Sequence, residues 1–348
     1  MTWRQQLLSP RLALAIACIA LVVAAWGPQL RLPVSRFEGV IVLDITQSMN
    51  AEDYVDSGQP VSRLAAAKRA AGGTLQALPC GSRIGLGIFT EYRTLVLLAP
   101  IEVCANFREL SSVLEGINGR MAWAGGSEVA KGINWAVRAA TSLPGRPAIV
   151  FVTDGHEAPP LHPLHRPSFE GKPGEIAGLI VGTGGPMPVP IPKFDPDGQR
   201  LGLWGADDVM QIDPHAKGRG GSVPGERYAE TEVAKLPPGW PVVGNEHLSQ
   251  LREGYLRLLA DELSFSYMRL ESPAAGAREL SRRMQQRPLA RVAPTPVSVR
   301  PLFGLIGLLA LLWVYRAALL HRLSAWTGQR LRATWFGRAQ PSGTGTPR

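Results

Sequence analysis

The sequence predicts an α/β fold: a doubly wound, mostly parallel sheet with one antiparallel strand, flanked by two transmembrane helices. Three observations predict it. Fully apolar runs of strand length, "GVIVLDI", "PAIVFVTDG" and "EIAGLIVGTGG", alternate with segments of helical period, the pattern of a parallel sheet covered on both faces. The stretch "GSRIGLGIFTEYRTLVLLAPIEV" reads as two strands about a tight turn at Glu91-Tyr92, which makes one strand antiparallel. Both ends of the chain carry long apolar segments.

Residues 1–33 form the first element group. Positions 12–30 hold no charge, which suits a membrane span or, with Val23-Ala24-Ala25 as cleavage site, a signal peptide. Residues 34–284 form the main domain. After the strand over 39–45, Ser62 caps a helix over 62–78 whose Leu64, Ala67, Ala71, Leu75 and Leu78 share a face. The hairpin follows, then a helix from about Phe107 to Ile117 and another from near Ser127. Next come the strand ending at Asp154 and the glycine-ended strand over 175–185. An amphipathic helix carries Leu248, Leu251, Tyr255, Leu258 and Leu259, and "SFSYMRLE" is the last strand. Two Pro/Gly-rich insertions, 157–174 and 185–244, interrupt the pattern, the second with a hairpin turn at Asp197-Gly198. Residues 285–300 read as a linker, 301–320 as a second span, and 321–348 as a basic tail. That tail either lies on the inner membrane face through Trp326, Leu331, Trp335 and Phe336 or is disordered.

The net charge of +9 belongs to the ends: residues 1–30 and 316–348 hold eight arginines and no acid. The middle is therefore near neutral, so the charge does not imply a nucleic-acid-binding core. Both termini read as cytoplasmic, with residues 34–296 outside. Cys18 lies in the first apolar segment. Cys80 and Cys104 bracket the hairpin and fall opposite one another at its open end, which predicts a disulfide and an oxidising compartment; two unrelated buried thiols are the alternative.

In a doubly wound sheet, ligands bind beyond the carboxyl ends of the strands. Asp44, Thr46 and Ser48 leave the first strand there, Asp154 leaves a second strand, and Ser127 follows "WAGG" in a loop on the same edge. An all-oxygen set of two carboxylates and three hydroxyls suits a hard divalent cation: Mg²⁺, Mn²⁺ or Ca²⁺. Other candidates carry less. His156, His162 and His165 read as solvated loop histidines, and Asp195, Asp197, Asp207 and Asp208 as turn residues.

These motifs, "DITQS", "GGSE" and "TDG", resemble the metal-ion-dependent adhesion site (MIDAS) of von Willebrand factor A (VWA) domains, with Ser127 where that family usually has Thr. The resemblance covers roughly residues 38–270 and implies a VWA/Rossmann-like fold. It also implies a metal held by Asp44, Thr46, Ser48, Ser127 and Asp154, with an open position filled by an Asp or Glu carboxylate of a partner protein. The two-span layout resembles Bat-type aerotolerance proteins. "DITQSMNAEDY", "GKPGEIAGLIVGTGG" and "PVPIPKFDPDGQRLGLW" look more like the MxaL-type accessory proteins of methanol oxidation. That resemblance implies a bacterial inner-membrane protein whose VWA domain faces the periplasm. It implies work in assembly or metal loading of a quinoprotein methanol dehydrogenase, beside a companion VWA protein and a MoxR-type ATPase, and no catalysis. The alternatives are a metal-dependent hydrolase using Asp44, Asp154 and Glu157, a Bat-type stress-complex component, and an adhesin.

Overall fold

The computed structural model describes residues 10–161, 167, 169, 171–211 and 245–316. It divides into two compact units: residues 34–293, and residues 1–33 with 294–348.

The main unit is a sheet with helices on both faces. Its strands are β1 (Gln29–Asp44), β2 (Arg83–Thr90), β3 (Arg93–Glu102), β4 (Ala148–Thr153), β5 (Gly178–Gly182), β6 (Ser266–Arg269) and β7 (Ala290–Ser298). They run in the order β6-β5-β4-β1-β2-β3, with β7 also pairing β1. Four neighbour pairs, β6/β5, β5/β4, β4/β1 and β1/β2, are parallel, and β2/β3 is antiparallel. The predicted mixed, mostly parallel α/β sheet is therefore present. The chain leaves β1 for β2 on one side and returns to β4 on the other, so Ile41 sits between Leu86 and Val150. This reversal beside β1 is the switch point at which such sheets bind ligands.

Side-chain alternation along β1 separates two cores. Ile41 and Leu43 join Leu75, Leu110 and Leu280. These come from α1 (Arg63–Ala77), α2 (Phe107–Gly116) and α5 (Pro273–Met284). Val40 and Val42 join Ile133 and Leu256. Those belong to α3 (Val129–Ser142) and α4 (Glu253–Leu263). The predicted cap is present, with Ser62 Oγ accepting from Ala65 N at 3.1 Å. At Gly73 an added Cβ would lie 2.8 Å from Ala277 Cβ, so glycine is what lets α1 and α5 approach this closely.

Three boundaries differ from expectation. β1 extends back to Gln29 rather than starting at 39. α5 was not foreseen; its buried face pairs small residues such as Gly276 and Ala277 with Leu280 and Met284, too few large apolar side chains for a long periodic stripe. Residues 290–298, expected to be linker, form β7 despite Pro294 and Pro296, which ordinarily argue against a strand. The hairpin about Asp197-Gly198 is present, Pro192–Phe194 pairing with Arg200–Leu203. The disulfide Cys80–Cys104 is formed and closes the open end of the β2/β3 hairpin, as the sequence predicts.

The second unit contains a helix over Pro10–Trp26 and another over residues 300–316. Among the described residues no helix is long and apolar enough to cross a membrane. Both helices nevertheless expose large apolar side chains, including Ile19, Val22, Leu305 and Leu309. They meet through small residues, where a Cβ on Gly307 would touch Leu21 at 3.2 Å and Ala17 O at 3.6 Å. Residues 317–320 of the predicted second span, and the predicted tail 321–348, lie outside the described residues.

Candidate metal centre

β1 buries its last residues completely and ends on Asp44; the next turn is a short 3-10 helix, Gln47–Asn50. This turn folds Thr46 and Ser48 back toward the acid. Thr46 N and Thr46 Oγ1 donate to Asp44 Oδ1 at 2.9 and 2.7 Å, and Thr46 Oγ1 lies 3.4 Å from Ser48 Oγ. The other Asp44 oxygen accepts from Thr153 Oγ1 of the neighbouring strand at 2.6 Å. β4 delivers Asp154 beside it, and the nearby Ser48 hydroxyl helps to favour the charged form of that carboxyl. Ser127 arrives from a third loop, fixed by paired backbone bonds with Ala158 at 2.7 and 2.8 Å, its Oγ donating to His156 O at 2.8 Å. The fold thus brings all five sequence-predicted residues to one edge, each of them buried.

The two carboxylates differ in their surroundings. Burial, then the charge of Asp154, pushes Asp44 up to about 7. Burial raises Asp154 too, but the Arg63 guanidinium and the bond from His156 N hold it below the usual carboxylate range. Arg63 was not foreseen. It is fully buried at the first turn of α1, with Nη1 donating to Asp154 Oδ2 at 2.6 Å and to Ser249 Oγ at 2.5 Å. Its Nη2 donates to Asp53 Oδ2 at 2.7 Å and to Ser249 O at 3.1 Å. Gly184, at φ +108°, lies against this guanidinium, 2.7 Å from where its Cβ would be. A sequence clue to Arg63 exists: a cation in the first turn opposes the helix dipole and needs a reason to be there. Ser249 has no comparable signal.

The donor set fits a hard divalent cation. It consists of oxygens, two of them from carboxylates whose proximity raises Asp44. The hydroxyl-bearing residues Thr46, Ser48 and Ser127 line a cleft of about 320 Å³, and the carboxylates lie beneath them. The remaining lining includes Pro159, Ile191, Trp204, Val209 and Met210, so an apolar wall rises beside the polar floor. The second insertion builds most of that wall, which sequence reasoning did not assign to the site.

Two expectations change. His156 is buried in the cleft wall rather than solvated, and burial pushes its imidazole down to about 4. His162 and His165 lie outside the described residues. Glu157, the base of the hydrolase alternative, is turned away from the cleft. Its Oε2 accepts from Val129 N at 3.0 Å and its Oε1 from Ala130 N at 3.1 Å and Tyr255 OH at 2.6 Å. It caps α3, and both oxygens are engaged. The cluster of Cys80, Glu102 and Cys104 is closed by the disulfide.

An aerotolerance-related membrane protein from Bacteroides fragilis is 18% identical, with 71% of this chain and 97% of that one covered and a TM-score of 0.43. The conserved hypothetical protein BatB from Bacteroides thetaiotaomicron is 20% identical, with 71% and 97% covered and a TM-score of 0.44. The VWA domain of SpRpn10 is 14% identical, with 42% and 76% covered and a TM-score of 0.27. No curated protein matches the chain. Residues 40–156 match the family model described as the von Willebrand factor type A domain, a span that runs from β1 to His156 and includes all five oxygen donors. This chain therefore contains a von Willebrand factor type A domain.

Proposed function

We propose that the protein binds a partner protein through a divalent cation, Mg²⁺, Mn²⁺ or Ca²⁺, held by Asp44, Thr46, Ser48, Ser127 and Asp154, and that it acts by docking rather than by catalysis. The observation that carries this reading is the convergence of those five oxygen-bearing side chains beneath an open cleft at the switch point of the sheet. A cation bound there supplies a positive centre for an incoming Asp or Glu carboxylate. The chain's own residues orient that centre: Thr46 and Thr153 fix Asp44, and Arg63 and Ser249 fix Asp154. Because Arg63 already neutralises much of Asp154, the cation keeps net positive charge for the partner.

In this reading the apolar terminal segments anchor the protein in a bacterial inner membrane and the VWA domain faces the periplasm. The disulfide and the exposed apolar faces of the terminal helices support it. The motif resemblance extends the proposal to assembly or metal loading of a periplasmic complex such as a quinoprotein methanol dehydrogenase, with a companion VWA protein and a MoxR-type ATPase as partners. Titration calorimetry of the full-length protein with Mn²⁺ tests the first step. One site is expected, with affinity lost at least 100-fold in Asp44→Ala while the melting temperature is kept. Equal Mn²⁺ binding by both proteins would refute the proposal.

A further inference from the structure

Cys80 and Cys104 are both exposed at the open end of the β2/β3 hairpin, the end of β2 away from the cleft. An exposed disulfide is open to attack by a thiolate, as a buried structural bond is not. What this bond holds together is also held without it. Glu102 stands opposite Arg83 in the hairpin register and places its carboxylate between the two cysteine-bearing turns. Its Oε1 accepts from Gly81 N and its Oε2 from Ala105 N, each at 2.5 Å. Those amides belong to the residues that directly follow Cys80 and Cys104. Val103 N donates to Ser82 O at 2.9 Å, and Phe37 N of β1 donates to Ser82 Oγ at 3.3 Å. A Glu102 oxygen and the two sulfurs lie within 4.8 Å of one another.

The charges at this end suit thiol exchange as well. The Arg36 guanidinium lies over Gly81, 2.2 Å from where a Cβ would be. Burial raises the Glu102 carboxyl, but its backbone donors and the charge of Arg36 outweigh burial and hold it below the usual range. Glu102 is therefore a charged acceptor, which makes the stronger hydrogen bonds. A guanidinium beside the turn of Cys80 offsets the carboxylate and favours the thiolate form in which a cysteine leaves.

We infer that Cys80 and Cys104 form a reversible dithiol–disulfide site that exchanges with a dithiol reductant, and that Glu102 is its positioning residue. A thiolate of the reductant attacks one cysteine sulfur, the Cys80–Cys104 bond breaks, and the other cysteine leaves as a thiolate and takes up a proton. The reductant's second thiol resolves the mixed disulfide, so the reductant supplies both electrons and ends as a disulfide. Glutathione disulfide reverses the change, accepting both electrons and leaving as two molecules of glutathione. Through both steps Glu102 keeps Gly81 and Ala105 tied, so the two thiols stay apposed and the pair closes again without rebuilding the hairpin.

Thiol trapping of the full-length protein in detergent tests this. Treatment with dithiothreitol in native buffer, then iodoacetamide and peptide mass spectrometry, reads Cys80 and Cys104 separately from Cys18. Both should be alkylated without denaturant, while the Gly81 and Ala105 amides stay as protected from hydrogen exchange as in the oxidised protein. Equilibration with mixtures of glutathione and glutathione disulfide should re-form the internal bond. Glu102→Ala should lower the equilibrium constant for that closure about tenfold, the worth of hydrogen bonds to a charged acceptor. Glu102→Gln keeps one accepting oxygen and should lower it less; it carries the comparison alone if Glu102→Ala does not fold. Equal constants in wild type and both variants would remove the positioning role. Alkylation that requires unfolding would overturn the exchange site. Loss of amide protection on reduction would overturn the preformed thiol pair.

Discussion

Arg63 sits in the first turn of α1, where amide dipoles favour acids, yet it is fully buried between Asp53 and Asp154. Its guanidinium satisfies both carboxylates and Ser249, so removing it strands buried charge. Arg63→Met should cost about 3–5 kcal/mol in thermal unfolding, the range for breaking one side of a buried pair. Arg63→Lys should recover only part, because an ammonium lacks the planar fork that reaches two acids at once. A loss below about 1 kcal/mol for Arg63→Met would remove this role. Glu157 gives a pH-dependent case. Burial pushes its carboxyl up to about 8 from an ordinary 4.5. The folded state then holds a proton that the unfolded state releases. This stabilisation is complete below the unfolded value and is lost as pH rises through the folded one. Between pH 4.5 and about 8 the wild type should therefore lose melting temperature relative to Glu157→Gln. Parallel profiles would show that the raised value is absent. Asp44, Thr46, Ser48 and Asp154 were legible because strand-end acids and alternating hydroxyls are local patterns. Arg63 and Ser249 were not, since they meet only through contacts made 186 positions apart.

The β2/β3 hairpin shows how far a local pattern reaches. Its turn at Glu91 adopts φ +57°, and its register, Arg83 opposite Glu102, carries Cys80 and Cys104 to the same end. Counting outward from the turn was enough to predict the bond. With a sequence separation of 24, closing that loop should contribute about 3 kcal/mol through the unfolded chain's lost freedom. A Cys80→Ser, Cys104→Ser double variant should lose that much in urea unfolding, without loss of Mn²⁺ binding, since the bond lies at the amino end of β2, away from the cleft. Unchanged stability would discount the loop-closure contribution. The short helix α5 was illegible for the opposite reason. Gly276 and Ala277 bury well against α1 because they are small, and the large apolar side chains on the buried face are limited to Leu280 and Met284, one turn apart at its end.

The molecule as a whole joins a VWA domain to terminal segments rich in exposed apolar side chains. If these anchor the protein as proposed, the full chain should remain in the membrane pellet after alkaline carbonate washing. A version lacking residues 1–33 and 301–348 should move to the supernatant. Protease added to spheroplasts should degrade the VWA domain of the intact protein. Release of the full chain by carbonate, or protection of the domain, would overturn the anchoring or the orientation respectively. The cleft is also a product of this scale. Its floor comes from β1, its near wall from the loops before α3 and after β4, and its far wall from the insertion beyond β5.

Sequence pattern alone was sufficient for the layering of the sheet, the hairpin with its disulfide, and the placement of Asp44, Thr46, Ser48, Ser127 and Asp154 at one sheet edge. Each depends on periodicity, on spacing within a segment or on residues that directly follow a strand or precede a helix, which a chain expresses before it folds. The buried ion pairs of Arg63, the removal of Glu157 from the cleft, the burial of His156 and the apolar wall around Trp204 appeared only in the folded molecule. Each is set by side chains from distant segments meeting in a low-dielectric interior, where the identity of the neighbour decides whether a charge is paired or a carboxylate caps a helix.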